Sequence, residues 1–329
     1  MPDPKTSPPP EPALLDRRFV LVTGKGGVGK STVTALLALL SARAGKRTLV
    51  CELGTHEQIA PMLGHAPVGG RVTRLEDNLS VVNIDPSSAM EEYGLMKLRF
   101  RALYRVVFDN PLVQSLVRFV PGMNDLLMLG KAFNHEREVD EQGAPVYDRV
   151  IIDAPATGHG ITFFKLPRII RDAVPAGNMH REAADMWALL TDPRRTVVHL
   201  VALPEELPVQ ETRELRRRLA TELGVPLGYL VVNMLPEPPL DPAQAEDFAR
   251  LAATPRDDRI ARLAEATRIA AGRAAIAATH AAALHGMGLP VVDLPQHPDR
   301  RLDRADLEAL ADRFARAIGA EALVTGPPA

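Results

Sequence analysis

Nine consecutive residues, Gly24, Lys25, Gly26, Gly27, Val28, Gly29, Lys30, Ser31 and Thr32, follow the apolar run FVLVT and lead into STVTALLALLSA. They fit G-x-x-x-x-G-K-[ST] in a strand, loop, helix setting, which is the pattern of a phosphate-binding loop. Glycines let successive backbone N–H groups curl around phosphate oxygens, and the N-terminus of the following helix adds partial positive charge. Lys30 is then placed to reach β- and γ-phosphates, Ser31 to ligate Mg²⁺, and Thr32 to contact the α-phosphate. The chain has seven lysines against thirty-two arginines, and two of the seven sit in this loop. A planar guanidinium does not replace the compact ammonium of Lys30 among phosphates.

Two further positions carry chemistry. Asp153 ends the apolar run RVIID before the glycine-containing stretch APATGHG, where a carboxylate can hold Mg²⁺ through water. Asn233 ends the run YLVVN, and its amide can donate and accept at once, as the edge of adenine requires. The plainer reading of each is a turn former at a strand end.

These residues need a sheet to position them. Short β-branched runs at 18–23, 47–51, 79–84, 149–153, 196–203, 227–233 and 290–294 alternate with helical periodicity at 31–44, 205–223, 258–284 and 304–318. Each strand run is apolar on both faces. That predicts an α/β fold: a single phosphate-loop domain whose mostly parallel sheet of about seven to eight strands is flanked by helices. Gly45 and Gly224 stand where helix stops belong. Residues 1–16, with six prolines in the first twelve, read as a flexible tail without the apolar core of a signal peptide, and 321–329 as a second tail. The domain is expected over 17–320.

Residues 90–133 depart from the alternation, being helical and rich in Met and Phe, with Pro111 and Pro121 as breaks. About 90–135 and 171–190 are expected to form an inserted helical subdomain. It is either packed on the sheet or presents a groove for an apolar client, since Met side chains are adaptable. Composition limits the alternatives: 39 basic against 41 acidic residues give no global field for nucleic acid or anionic lipid. Only 4% of residues are aromatic, too few for base stacking as the main business. Cys51, the single cysteine, supplies neither a disulfide nor a zinc or iron–sulfur site, which points to the cytoplasm. No apolar run is long enough for stable membrane insertion.

The loop GKGGVGKST, with Lys25 at its start, resembles the deviant phosphate loop of the signal-recognition-like, MinD, ParA and ArsA group of NTPases. In that group the extra lysine contacts the nucleotide of the facing subunit, so the resemblance implies a sandwich dimer; a solvated lysine is the plainer alternative. Residues 153–159, DAPATGH, are similar to the ArsA-family switch motif D-T-A-P-T-G-H. That family includes arsenical-pump ATPases and the ATPases that deliver tail-anchored membrane proteins. The resemblance implies ATP and Mg²⁺ as ligands, Asn233 as reader of adenine, and a late loop at 289–295, ending in Pro295, that covers the base. It spans nearly the whole sheet.

The departures matter as much. Where the family reads S-T-D-P-A-H, this chain reads Cys51, Glu52, Leu53, Gly54, Thr55, His56, so Leu53 stands in place of the aspartate that orients water. Glu52 or Glu57 could supply the missing carboxylate, or hydrolysis is slow and partner-dependent. The family's zinc-sharing C-x-x-C pair and the tandem second phosphate loop of fused arsenical pumps are absent, which excludes zinc clamping and disfavours arsenite transport. The resulting expectation is an ATP-hydrolysing switch, a homodimer or a heterodimer with a paralogue, acting on an apolar helix or membrane-protein client. Two other readings stay open: a MinD- or ParA-like positioning ATPase, and a regulatory subunit of low activity. A solvated helix face explains Arg213, Arg216, Arg217 and Arg218 more cheaply than nucleic-acid binding.

Overall fold

Each core strand is apolar on both sides because each side meets a layer of helices. In β1 (Phe19–Gly24), Phe19 and Leu21 enter one hydrophobic cluster while Val20 and Val22 enter the other. The same parity runs through β2 (Thr48–Leu53), with Leu49, Cys51 and Leu53 on the first side and Val50 on the second. It continues in β5 (Arg149–Asp153), where Val150 and Ile152 oppose Ile151, and in β7 (Leu227–Leu235), where Leu230 and Val232 oppose Tyr229 and Val231. The remaining strands are β3 (Thr73–Glu76), β4 (Leu79–Ile84), β6 (Thr196–Ala202) and β8 (Val291–Pro295). The computed structural model describes residues 16–90, 123–154, 160–252, 258–297 and 302–324.

The eight strands lie in the order β3-β4-β2-β5-β1-β6-β7-β8, all parallel except β3, which runs antiparallel to β4. This is the α/β architecture the sequence implies, with eight strands. β1 is central, and the chain moves from it to β2 on one flank and later to β6 on the other. A crevice therefore opens at the carboxyl end of β1, the usual ligand position in open parallel sheets.

On the second side, α1 (Lys30–Arg43) packs against α9 (Arg304–Ala317) and strands β1, β2 and β5. α1 is apolar nearly all round, as a helix buried between a sheet and another helix must be. Truncating its fully buried Leu36 to alanine would cost about 2–5 kcal/mol. Arg43 Nη1 donates to Asp312 Oδ1 at 2.7 Å, tying α1 to α9, and α9 starts with a capping box between Asp303 and Asp306. The short helix α2 (Ile59–Met62) leans on α1.

The first side is covered by α3 (Met123–Arg137), α4 (Gly160–Ala173), α5 (Asn178–Thr191), α6 (Glu206–Arg217) and α8 (Asp258–His285), with α7 (Pro242–Ala252) against α8. Leu129, Phe133, Phe163, Phe164, Met186 and Leu189 join the same core cluster as the strands. Thus the described parts of the expected helical segments, 123–137 and 178–191, lie directly on the sheet. Residues 91–122, the greater part of the Met- and Phe-rich stretch, fall outside the described residues, as do 155–159.

Three local differences from the sequence expectation have simple causes. β3 was not expected, since TRLE is a four-residue, partly exposed edge strand without apolar alternation. The helix expected over 205–223 is α-helical only over Glu206–Arg217 and widens into a π-type turn at Arg218–Glu222, which buries Leu219. α8 matches its expected span, yet residues 258–273 carry no buried side chain, and burial begins at Ala274. Gly45 and Gly224 have φ of 72° and 65°, as the helix stops require.

Candidate functional site

The phosphate loop is held by its glycines and by the strands beside it. Gly29 caps α1 in the left-handed region at φ 88°, and a Cβ there would overlap Asn233 Nδ2. A Cβ on Gly24 would overlap the carbonyl oxygen of Val201 on β6. Both positions are closed to any other residue by backbone conformation and by space. Asn233 Nδ2 donates to Val28 O at 2.9 Å, so the amide at the end of β7 buttresses the loop from the side of Gly29.

Lys30 is buried, and its Nζ donates to the Lys25 carbonyl at 3.0 Å. Burial lowers its pKa, with the charge of Asp153 opposing that effect. Ser31 Oγ donates to Asp153 Oδ2 at 2.6 Å and Thr34 Oγ1 to Asp153 Oδ1 at 3.3 Å. Asp153 at the tip of β5 is thereby joined to one face of the first turn of α1. Burial pushes its carboxyl up to about 6, in spite of the Ser31 hydrogen bond and the Lys30 charge. Thr32 Oγ1 faces Met62 Sδ at 4.0 Å.

Glu52 pairs in register with Asp153 across β2 and β5. It is 4% exposed, and its two oxygens accept from the backbone N–H groups of Gln58 at 2.7 Å and Ile59 at 3.3 Å. Burial pushes Glu52 up to about 7, the N–H of Gln58 pulling the other way. Glu57, the other expected substitute, accepts from Val68 N at 2.6 Å and Gly69 N at 2.9 Å and so organises the loop beyond α2. Leu53 is buried in the opposite cluster.

A serine hydroxyl beside a buried carboxylate is a set of hard oxygen donors, which fits Mg²⁺. Among the described residues no group of three or more His, Cys, Asp or Glu side chains could hold a metal by itself. A cation at Ser31 and Asp153 must then complete its shell with phosphate oxygens and water, as Mg²⁺ does. Cys51 is buried, and burial raises its thiol pKa.

Lys25 is half-exposed and its Nζ lies 3.0 Å from Glu211 Oε1 on α6. Pro295 closes β8, opposite Leu235 of β7. Beside Asn233, a cavity of about 530 Å³ opens between the ends of β6 to β8 and α8, lined by Leu203, Pro204, Met234, Pro236, Arg273, Ile276 and Gln296 among others. A neighbouring cavity of about 560 Å³ shares Pro236, Arg273 and Gln296 and extends along α8 past Ile269. Met234 adopts φ 54°, a left-handed conformation at a register shift between β7 and β8. Sequence reading missed this groove, because neither a left-handed methionine nor the face of α8 leaves a local mark. Thr34 was missed as well, although its spacing of three from Ser31 places both hydroxyls on one helix face.

The other expected contacts resolve as follows. Arg217 and Arg218 pair with Glu214, and Arg217 also with Glu222, so two of the four arginines in the cluster have carboxylate partners nearby in sequence. Met186 is buried in the core, and Trp187 lies under the guanidinium groups of Arg168 and Arg171, 5.8 and 6.0 Å from its ring centre. Met179 and Ile169 are exposed. Among the described residues no helix is long and apolar enough to cross a membrane.

Comparison with known proteins agrees with this geometry. The family model ArsA_ATPase, described as anion-transporting ATPase, matches residues 17–182. ATPase BagA of Mycobacterium tuberculosis is 32% identical over 240 residues, covering 71% of this chain and 69% of BagA. ATPase ASNA1 homolog 1 of Paramecium tetraurelia is 30% identical over 158 residues, 46% of this chain and 44% of that protein. ATPase GET3 of Kluyveromyces lactis is 29% identical over 158 residues, 46% of this chain and 45% of GET3. With a strand-bound phosphate loop on the central strand and a family match over half its length, the chain belongs to the ArsA family and is a nucleotide-binding ATPase.

Proposed function

We propose that this chain is a Mg²⁺-dependent ATP switch of the ArsA and GET3 type, in which ATP closes a pair of subunits and hydrolysis reopens it. The pair is a homodimer or a heterodimer with a paralogue. The observation that carries this reading is the convergence of Ser31 and Thr34 on the buried carboxylate of Asp153, beside the buried ammonium of Lys30.

In the proposed reaction, the backbone N–H groups of Gly24, Gly26, Gly27, Val28 and Gly29 and the start of α1 bind the phosphates. Lys30 exchanges the carbonyl of Lys25 for the β- and γ-phosphates, an exchange its buried, partly desolvated ammonium favours. Thr32 binds the α-phosphate. Ser31 and Asp153 would hold Mg²⁺, which when bound neutralises charge across the β- and γ-oxygens. Asn233 and Pro295 position the base, and the groove beside Met234 is large enough to take it. Glu52, whose carboxyl is pushed up to about 7, orients the attacking water and takes its proton near neutral pH. Lys25 stabilises the γ-phosphate of a facing subunit, so that charge stabilisation is complete only on closure.

The output is conformational, and its client is an apolar helix such as a membrane-protein tail. The exposed Met179 and Ile169 support that part. Binding of a fluorescent ATP analogue to the parent and to Lys30→Ala, with and without Mg²⁺, tests the site. Equal uptake by both proteins overturns it. Capture of an apolar helix with and without ADP and aluminium fluoride tests the output, and capture indifferent to nucleotide overturns that part alone.

A further inference from the structure

We propose that Glu211 is a positioning residue that holds Lys25 within its own subunit and so sets how readily that lysine is released to a facing one. The inference rests on the reading above, in which Lys25 acts on the partner's nucleotide.

The backbone of Lys25 is not free to move. Gly24 before it sits against the Val201 carbonyl, an approach too close for a side chain there. What can move is the four-carbon side chain with its compact charge. Its Nζ lies 3.0 Å from Glu211 Oε1, with the two side chains 38% and 43% exposed. Glu211 in turn stands on a fixed support, since α6 buries Pro208, Val209 and Thr212 beside it. The next carboxylate along α6, Glu214, is taken by Arg217 and Arg218. The pair links the phosphate loop to α6, 186 residues later in sequence, and no local helix geometry requires it.

The strength of such a contact suits a latch. An exposed ion pair shifts an equilibrium by about two- to fivefold, enough to bias Lys25 and too little to trap it. Closure of two subunits must trade this bond for a phosphate contact. Glu211 therefore raises the subunit concentration at which closure occurs without touching the chemical step.

The test is the mass of the full-length protein in ADP, aluminium fluoride and Mg²⁺ over a concentration series, with steady-state turnover measured alongside. Glu211→Gln keeps helix propensity and size while removing the charge. The expected result is a closure midpoint about two- to fivefold lower, with turnover at saturating protein unchanged and the gain shrinking as salt is raised. In a Lys25→Ala background the gain should vanish. An unchanged or higher midpoint in Glu211→Gln overturns the latch, while a defect in Lys25→Ala alone leaves the trans reading of Lys25 standing. If Lys25→Ala closes and turns over like its parent, the underlying reading falls, and the latch with it.

Discussion

Replacing Gly29 by alanine puts two separable costs on the phosphate loop. The first is conformational: Gly29 sits at φ 88°, and a residue with a Cβ pays about 1–2 kcal/mol there. The second is steric, because the new methyl overlaps Asn233 Nδ2. The amide must turn away, losing its 2.9 Å bond to Val28 O, worth about 1 kcal/mol net. Overpacking in a buried site adds about 1–3 kcal/mol. The sum for Gly29→Ala is about 3–6 kcal/mol, a large share of the 5–15 kcal/mol typical of a domain. In an Asn233→Ala background the overlapping group is gone, so only the conformational cost of about 1–2 kcal/mol remains. The two changes should therefore couple by about 2–4 kcal/mol in urea unfolding followed through Trp187, the only tryptophan. Costs that add to within about 0.5 kcal/mol would refute the claim that Asn233 braces the loop through this contact.

Three other outcomes are expected. Glu52→Gln leaves one backbone N–H near α2 facing an amide NH₂, so stability should fall by about 1–2 kcal/mol, and turnover should drop at least about tenfold with ATP affinity within about threefold; turnover equal to the parent removes Glu52 from the mechanism. Asp153→Asn should keep a polar partner for Ser31 yet lose about tenfold of the Mg²⁺-dependent part of nucleotide affinity, read by titrating Mg²⁺ at fixed ATP analogue. His199 is fully enclosed between β6 and β7, stacked on Tyr229, and burial lowers its pKa to about 3. Because its folded pKa lies below the ordinary 6.5, its contribution is complete above that value and is lost as pH falls toward 3, about 2 kcal/mol being gone at pH 5. Urea midpoints at pH 7 and pH 5 should show a smaller difference in His199→Gln, whose side chain does not titrate.

How much of this could be read from the residues follows from what each signal depends on. The core strands and α1 were legible because burial on both faces writes continuous β-branched runs, and the phosphate loop because Gly24 and Gly29 are forced by φ and by neighbours that leave no room for a side chain. β3 was not legible, being a short edge with no buried face. α4 was obscured by Pro167, a residue that normally ends a helix and here lies inside one. The partners of Lys25 and Glu57 were invisible for another reason. Their contacts, with Glu211 and with the backbone of Val68 and Gly69, are long-range or depend on loop shape, and neither follows from spacing.

On the proposed reading, in which Glu52 orients the water, the replacement of the family's aspartate by leucine is offset by the residue before it. In a strand, neighbouring side chains point to opposite faces, and β2 assigns Cys51 and Leu53 to the cluster away from α1 while Val50 goes toward it. Glu52 shares the parity of Val50, as Asp153 shares that of Ile151, and the two acids are register partners on adjacent strands. Parity thus places Glu52 on the side where α1 presents Ser31 and Thr34, and denies that side to whatever stands at position 53. Burial is the main reason both carboxyls are pushed up, to about 7 and about 6, and the charge of Asp153 adds to the rise at Glu52. A site with that electrostatic balance gains most from a ligand that brings a cation with it, since the metal lowers the cost of both negative charges at once. Position 53 ends the same strand, so the acid at position 52 differs from one at 53 by the face it takes, and that face is the one it shares with Asp153.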